Sequence, residues 1–221
     1  MKTVISERIS ELMSAYPALM ISEETEEYIS LSGIIGVHRS VEQFVINKDY
    51  KIDIFIPKRE ELLPYVVDAG KVISTKYPHI YTDGRLCLAT DIDIRLALCN
   101  DPSLVNWVRN YVETYFVSYE YYERYGVFPL GERTHGAYGI VQSYMEIFGV
   151  SVEKATKIIL FLSYDAYRGN RPCPCGSQIR MRKCHGKELL VFYNNPILLE
   201  QVRLDCKMMA KEVFRNEFAQ Q

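Results

Sequence analysis

Apolar residues near the start of the chain recur every three or four positions, and further along they recur every two. The first spacing predicts an amphipathic helix over 4–20, because it puts the apolar side chains on one helical face. The second is typical of half-buried strands, and the polar segment 47–49 predicts a hairpin turn between two of them. Strands are predicted at residues 28–37, 41–46 and 50–56. Together they predict a small antiparallel meander.

The rest of the chain mostly returns to helical spacing. Asp101 and Pro102 predict the start of a helix, with Asp101 as its N-cap, and Gly126 predicts its end. Further helices are predicted over about 137–148, 151–165 and 196–218, with a short strand over 189–193. A helix, strands, an irregular segment and then helices predict an α+β domain.

The composition is that of an ordinary globular protein. Of the 221 residues, 48% are apolar and 24% are charged, and 26 basic against 28 acidic residues leave a net charge of −2. Without excess positive charge, no nucleic-acid partner is expected. The longest apolar run, 158–162, is far shorter than the ~20 residues of a membrane-spanning helix. Since the N-terminus also lacks the apolar core of a signal peptide, we expect a cytoplasmic protein with no membrane partner.

Three of the six cysteines cluster near the C-terminus. One residue separates Cys173 from Cys175, eight residues separate Cys175 from Cys184, and His185 follows Cys184 directly. In a reducing compartment, clustered cysteines indicate metal ligation rather than disulfides. Three thiolates and one imidazole suit tetrahedral zinc, and they leave no coordination position open for a substrate. The sequence therefore predicts a structural zinc site.

This segment, Cys-Pro-Cys-Gly-Ser followed by Lys-Cys-His-Gly, resembles the SEC-C motif, a small zinc knuckle, over about residues 169–187. Basic residues surround the four ligands, with no acid among them, and offset the negative charge of the thiolates. They are Arg168, Arg171, Arg180, Arg182, Lys183 and Lys187. Two roles stay open for the knuckle: a staple that replaces a core too small to fold alone, and a docking surface for an acidic partner.

Another cysteine, Cys87, follows an irregular segment that contains Pro78 and Gly84. A cysteine flanked by leucines is most often a small buried hydrophobic residue. The turn residues ahead of it, however, can hold a thiol both exposed and rigid, as nucleophilic catalysis requires. His79 lies upstream and can approach the thiol as a hydrogen-bond donor or a base if the loop folds back.

Residues 77–88 resemble the active-site segment of ubiquitin-conjugating enzymes. That family carries His-Pro-Asn-Ile-Tyr, two residues, Gly, two residues and Cys-Leu, and its Cys forms a thioester with the C-terminus of ubiquitin. The residues that match at the same spacing are Pro78, Ile80, Tyr81, Gly84, Cys87 and Leu88. The resemblance implies that Cys87 is the catalytic residue, although Tyr77 replaces the family's His and His79 its Asn. His79 either stabilises an oxyanion in place of that Asn or braces the loop.

The predicted helix, the meander and the segment leading into Cys87 follow the order of the conjugating fold. We therefore predict a conjugating domain over 1–150, and a helical extension over 151–221 that contains the knuckle. This combination resembles the stand-alone conjugating proteins of bacterial CBASS antiviral operons. The resemblance implies a thioester between Cys87 and the C-terminus of a cGAS-like nucleotidyltransferase, which is then passed to an unidentified amine. The alternative is a non-catalytic, zinc-containing adaptor that binds a protein partner.

Overall fold

The computed structural model describes residues 2–41, 44–129 and 134–218. Contacts within the chain separate two compact units. The first comprises Met1–Ala89 and Ala97–Glu132, and the second comprises Thr90–Leu96 and Arg133–Gln221. The first unit contains a four-stranded antiparallel sheet, and the second is built mainly from helices. Sheet and helices together confirm the predicted α+β class.

The sheet has the strand order β1-β2-β3-β4, and every neighbouring pair is antiparallel. Its strands are β1 (Leu19–Glu24), β2 (Tyr28–Val41), β3 (Phe44–Pro57) and β4 (Tyr65–Val67). Along β3 the side chains of Ile52, Ile54 and Ile56 are buried, because alternate residues of a strand point to the same face. This face of the sheet contributes much of the core of the first unit.

Two long strands replace the shorter ones that the sequence predicts here. β2 and β3 are 14 residues long and pair along their whole length, with Val41 opposite Phe44. Asn47 is therefore a paired strand residue, and the turn predicted at 47–49 is wrong. The polar run misleads because these side chains lie on an exposed part of the strand, where polar residues are tolerated as they are in a turn. Residues 42 and 43, between the strands, lie outside the described part of the chain.

The first helix, α1 (Lys2–Ala15), is confirmed, but it ends short of the predicted residue 20. Pro17 follows it, and a proline cannot donate the backbone hydrogen bond that would continue a helix. The chain turns instead into β1, where Leu19 lies opposite Gly33. A Cβ atom on Gly33 would lie 2.0 Å from the carbonyl oxygen of Ala18, so this close approach of β1 to β2 requires glycine.

The next helices are α2 (Asp91–Asn100), α3 (Leu104–Trp107) and α4 (Glu113–Tyr125), with a π-helical turn (Val108–Val112) joining the last two. Ser103 caps α3 by accepting a hydrogen bond from the Asn106 N–H, so Asp101 is not the N-cap that the sequence predicts. Gly126 ends α4 as predicted, with a left-handed φ of +70°. Phe116 of α4 stacks on Tyr50 of β3, with ring centroids 3.8 Å apart, so α4 packs on the apolar face of the sheet.

The second unit contains α5 (Gly136–Phe148), α6 (Val152–Tyr164), α7 (Gly186–Tyr193) and α8 (Pro196–Phe218), close to the helices predicted at 137–148, 151–165 and 196–218. The strand predicted over 189–193 is wrong, because this segment belongs to α7 and buries Leu189 and Phe192 on one helical face. A short apolar run fits a strand or a helix, and packing decides between them. Within the described ranges, no helix has both the length and the apolar character needed to cross a membrane.

Candidate active-site cysteine and metal centre

A tight backbone hairpin carries Cys87. Ile80 and Leu86 form an isolated antiparallel bridge, and the Tyr81 N–H donates to the Arg85 carbonyl oxygen over 2.9 Å. Gly84 closes the turn: its N–H donates to the Tyr81 carbonyl oxygen over 2.9 Å, and its φ of +83° favours a residue without a side chain. The segment between His79 and Cys87 is thus an ordered turn.

Three further hydrogen bonds fix the two ends of this hairpin. The Cys87 N–H donates to the His79 carbonyl oxygen over 2.9 Å, and the Tyr115 hydroxyl of α4 donates to the same oxygen over 3.0 Å. The Leu86 N–H donates to the Val66 carbonyl oxygen of β4 over 2.9 Å. Both the edge strand and a helix therefore hold the backbone at Cys87 in place.

Two polar side chains lie near the half-buried Cys87 sulfur. The Tyr81 hydroxyl donates to Sγ over 3.6 Å, and a ring nitrogen of His79 lies within 4.8 Å of it. The structure thus brings together Cys87 and His79, the two residues that the sequence singles out as catalytic candidates. Their chemical roles stay predictions. Tyr81 is a neighbour that sequence reasoning missed, although its match to the conjugating motif was the available signal.

Two aromatic rings pack against the ring of His79. Its ring lies 5.6 Å from the Tyr77 centroid and 5.2 Å from the Phe128 centroid, both in edge-to-face geometry. Tyr77, at the position of the family's His, is buried, and its burial raises the pKa of its phenol well above the ordinary value. Tyr77 is therefore a neutral core residue that supports His79.

A second aromatic group follows the hairpin on its exposed side. The Arg85 guanidinium lies 5.5 Å from the Tyr81 ring centroid and 5.7 Å from that of Tyr65, and an ion pair of 2.7 Å joins it to Asp83. Hydrogen bonds from the Arg85 backbone and side chain lower the pKa of Asp83, so this carboxylate is ionised at neutral pH. The turn therefore carries its own charge pair beside Tyr81.

The four predicted metal ligands come together in the second unit. Their ligand atoms, from Cys173, Cys175, Cys184 and His185, all lie within 4.8 Å of one another. The His185 Nδ1 atom is 3.4 Å from the Cys173 sulfur and 3.3 Å from that of Cys184, and the Cys175 and Cys184 sulfurs are 3.6 Å apart. These separations match the edges of a tetrahedron with metal–ligand bonds of about 2.0–2.3 Å. The cluster can hold a metal ion.

The surroundings of His185 favour ligation through Nδ1. Its Nε2 atom lies 3.1 Å from the Phe148 carbonyl oxygen at the end of α5, which can only accept a hydrogen bond. The proton therefore resides on Nε2, and Nδ1 presents its lone pair to the sulfurs. This second contact fits a metal site, because it sets both the tautomer and the direction of the imidazole.

The backbone between the ligands wraps closely around the cluster. The Cys173 N–H donates to the Ile179 carbonyl oxygen over 2.8 Å, and Gly176 takes a left-handed φ of +81°. Burial raises the pKa of Cys173. At Cys175, burial also opposes ionisation, but hydrogen bonds from Ser177 outweigh it and lower the pKa. A bound cation favours the thiolate form at both positions.

The cluster belongs to the core of the second unit. Cys173 and Cys175 are buried in one hydrophobic core with Phe148, Leu162 and Phe192, side chains from α5, α6 and α7. The basic residues of the knuckle are all exposed, namely Arg168, Arg171, Arg180, Arg182, Lys183 and Lys187. In the segment of the predicted knuckle, the basic side chains therefore face solvent, while Cys173 and Cys175 pack into the helical core.

No family model matches the sequence, and neither the curated proteins nor the solved structures contain a significant match to it. The likeness to ubiquitin-conjugating enzymes and to the SEC-C motif is therefore carried by the motif residues.

Proposed function

We propose that the chain is a cysteine acyltransferase of the ubiquitin-conjugating type, with Cys87 as its nucleophile. One observation carries the proposal: the Cys87 sulfur sits on an ordered hairpin, half-buried, with the Tyr81 hydroxyl 3.6 Å away and a His79 ring nitrogen within 4.8 Å. A thiol that is rigid, reachable and beside hydrogen-bond donors has the features that nucleophilic catalysis needs.

The reaction consists of two acyl transfers. The Cys87 thiolate attacks the carbonyl carbon of an activated C-terminal acyl group, so that a C–S bond forms while the bond to the leaving group breaks with its electron pair. An acceptor amine then attacks the thioester carbon, an amide forms, and the C–S bond electrons return to sulfur. The amine gives up one proton to solvent. The donor arrives already activated, as an acyl adenylate or another thioester.

His79 fits the role of oxyanion donor in this scheme. Each attack leaves negative charge on the acyl oxygen, and this oxyanion lies close to the Cys87 sulfur. The His79 ring nitrogen, within 4.8 Å of Sγ, is near enough to donate a hydrogen bond to an oxygen on the attacked carbon. The packing of its ring against Tyr77 and Phe128 gives it the fixed direction that such a donor needs.

The resemblance to CBASS conjugating proteins supplies the proposed partner and setting. We take the donor to be the C-terminus of a cGAS-like nucleotidyltransferase and the setting to be cytoplasmic antiviral defence, with no nucleic acid involved. The acceptor is an amine of unknown identity. In this scheme Cys173, Cys175, Cys184 and His185 hold a structural zinc ion in a SEC-C knuckle, and the ion supplies a crosslink rather than chemistry.

Replacing Cys87 with lysine in the native operon tests the proposal. A lysine amine at this position converts a transient thioester into a stable amide, so we expect the intact mass of purified Cys87→Lys to increase by the mass of one donor protein less one water. Peptide mapping is expected to show an amide bond between the introduced lysine side chain and the C-terminus of the donor protein. Cys99→Lys serves as the control, since Cys99 is exposed, and so at least as accessible as the half-buried Cys87, but lies outside the hairpin.

An unmodified Cys87→Lys that co-purifies with a non-covalent partner would overturn the transferase and favour the adaptor. The same holds if the Cys99→Lys control carries the adduct equally, because the amide would then reflect a reactive surface lysine. An adduct confined to position 87 supports Cys87 as the acceptor of the acyl group.

A further inference from the structure

Tyr81 and Cys87 are brought together by the register of the hairpin. The Ile80–Leu86 bridge and the Tyr81–Arg85 backbone hydrogen bond pair the two arms, so that the Tyr81 side chain reaches across to the sulfur. Its hydroxyl hydrogen bonds to Cys87 Sγ over 3.6 Å, a normal distance for an O–H···S contact. Tyr81 stays about half exposed, with a relative accessibility of the residue of 52%.

The cation of Arg85 reinforces this contact. Its guanidinium lies 5.5 Å from the Tyr81 ring centroid, where the negative face of the ring attracts it. The ion pair with Asp83 keeps the guanidinium on the turn. A positive charge over the ring draws electron density from the phenol oxygen, and this makes the Tyr81 O–H a stronger hydrogen-bond donor towards a negative sulfur.

Among the described residues of this unit, Tyr77 and Tyr115 interact electrostatically with Cys87, and a His79 ring nitrogen lies within 4.8 Å of its sulfur. Burial raises the pKa of Tyr77 and Tyr115, so both phenols are neutral near pH 7. The Tyr115 hydroxyl already donates to the His79 carbonyl oxygen. Tyr81 is therefore the phenol whose hydroxyl is bonded to the sulfur itself.

We propose that Tyr81 is a positioning residue for Cys87. The Tyr81 hydroxyl donates a hydrogen bond to the Cys87 thiolate before the thiolate attacks and again when it leaves. This inference rests on the proposed transferase function and adds to it the group that stabilises the charged sulfur at both steps. In the thioester the sulfur carries no charge, so the hydrogen bond weakens there. Tyr81 thus favours the two states in which the sulfur must be a good nucleophile or a good leaving group.

The rate of Cys87 alkylation by iodoacetamide, followed between pH 5 and pH 10 on the whole protein, measures thiolate formation without any acyl donor. The Cys87 peptide is quantified by mass spectrometry, so that Cys99 does not contribute. A charge-assisted hydrogen bond favours the thiolate, so Tyr81→Phe is expected to slow alkylation at pH 7 by about three- to tenfold and to move the midpoint of the profile to higher pH. Arg85→Gln is expected to shift the midpoint in the same direction.

Tyr65→Phe is the matched control, because Tyr65 also lies under the Arg85 guanidinium, whereas the phenol that bonds to the sulfur is that of Tyr81. It is expected to keep the parent profile. The proposal is overturned if Tyr81→Phe alkylates like the parent, or if Tyr65→Phe shifts the profile equally. Thermal melts check that each variant folds.

The two experiments fail separately. If Tyr81→Phe shifts the alkylation profile but Cys87→Lys carries no adduct, the role of Tyr81 in tuning the thiol stands and the transferase proposal fails. If Cys87→Lys carries the adduct but Tyr81→Phe does not shift the alkylation profile, the transferase proposal stands and the role of Tyr81 fails.

Discussion

At the scale of single residues, Asp205 is a carboxylic acid buried in the second unit. Its oxygens accept hydrogen bonds from the Tyr144 hydroxyl over 2.7 Å and from the Gln201 amide over 2.8 Å, and Gln201 also accepts from Arg95. Burial nevertheless raises the pKa of Asp205 to about 6, and the nearby Asp91 adds to the shift. Near pH 7 the Asp205 carboxylate of the folded protein is therefore ionised in a buried environment that disfavours its charge.

The stability of the second unit is expected to fall as the pH rises through about 6. The pKa of Asp205 in the folded protein lies above its value of 3.8 in an exposed chain, so the folded state binds this proton more tightly than the unfolded chain does. The stabilisation that the proton gives is complete below pH 4 and is lost as the pH rises through about 6. Between pH 5 and pH 7.5 this group lowers the free energy of unfolding by about 1.4 kcal/mol. Asp205→Asn is expected to remove that difference, measured by urea unfolding at the two pH values.

Glu200→Gln is the control for this prediction. It removes an acid from the same helix, but Glu200 is exposed and pairs with Arg203 on the surface. Its unfolding free energy is expected to keep the pH dependence of the parent. Equal pH dependence in Asp205→Asn and the parent would show that the buried carboxylate does not control it.

At the scale of elements, the close pairing of β1 with β2 depends on one glycine. Gly33 faces the carbonyl oxygen of Ala18, and a Cβ atom there would lie 2.0 Å from that oxygen. A backbone atom cannot move aside without breaking the strand pairing. The edge of the sheet, and with it the burial of Leu19, therefore requires that position 33 carry no side chain.

Gly33→Ala is expected to lower the free energy of unfolding by about 2–4 kcal/mol, because β1 must separate from β2 to make room. Gly36→Ala on the same strand is the control: its Cβ would meet the end of the His38 side chain, which can rotate away. We expect a change of less than about 1 kcal/mol for this variant. Equal losses in the two variants, measured by urea unfolding, would contradict the role assigned to Gly33.

At the scale of the whole molecule, the candidate metal-ligand cluster is part of the helical core of the second unit. Two of its cysteines are buried among the side chains of α5, α6 and α7, and His185 bonds to the end of α5. Without a cation, three thiols and an imidazole bury polar atoms with poor partners. A bound ion therefore stabilises the helices of the second unit together with the knuckle.

Cys173→Ser is expected to abolish metal binding and to lower the melting temperature of the second unit by roughly 10 °C or more. The measurements are elemental analysis for zinc and circular dichroism melts, repeated on the parent after treatment with a chelator. Cys206→Ser is the control, since Cys206 is also buried in this core but lies outside the cluster. We expect it to keep the metal, and retention of metal by Cys173→Ser would refute the ligand assignment.

Local patterns in the sequence were enough to predict the helices α5, α6 and α8 and to single out the four candidate metal ligands that the structure brings together. Helical spacing and the short ligand spacing both act between residues close along the chain, as does the glycine Gly126 that ends α4. The sequence failed where long-range pairing decides. The turn predicted at 47–49 lies inside β3, and the strand predicted at 189–193 is a helix. In both cases the local composition suits two structures, and packing selects one.

The sequence by itself determined the α+β class, the close spacing of Cys173, Cys175, Cys184 and His185, and the motif residues around Cys87, whose segment it predicted only as irregular. Only the tertiary structure decided that the Tyr81 hydroxyl reaches the Cys87 sulfur, that the metal ligands pack into the helical core, and that Asp205 is buried. The reason is physical. Spacing along the chain limits which side chains can meet across a turn, whereas burial and the contacts between distant segments depend on how the whole chain packs.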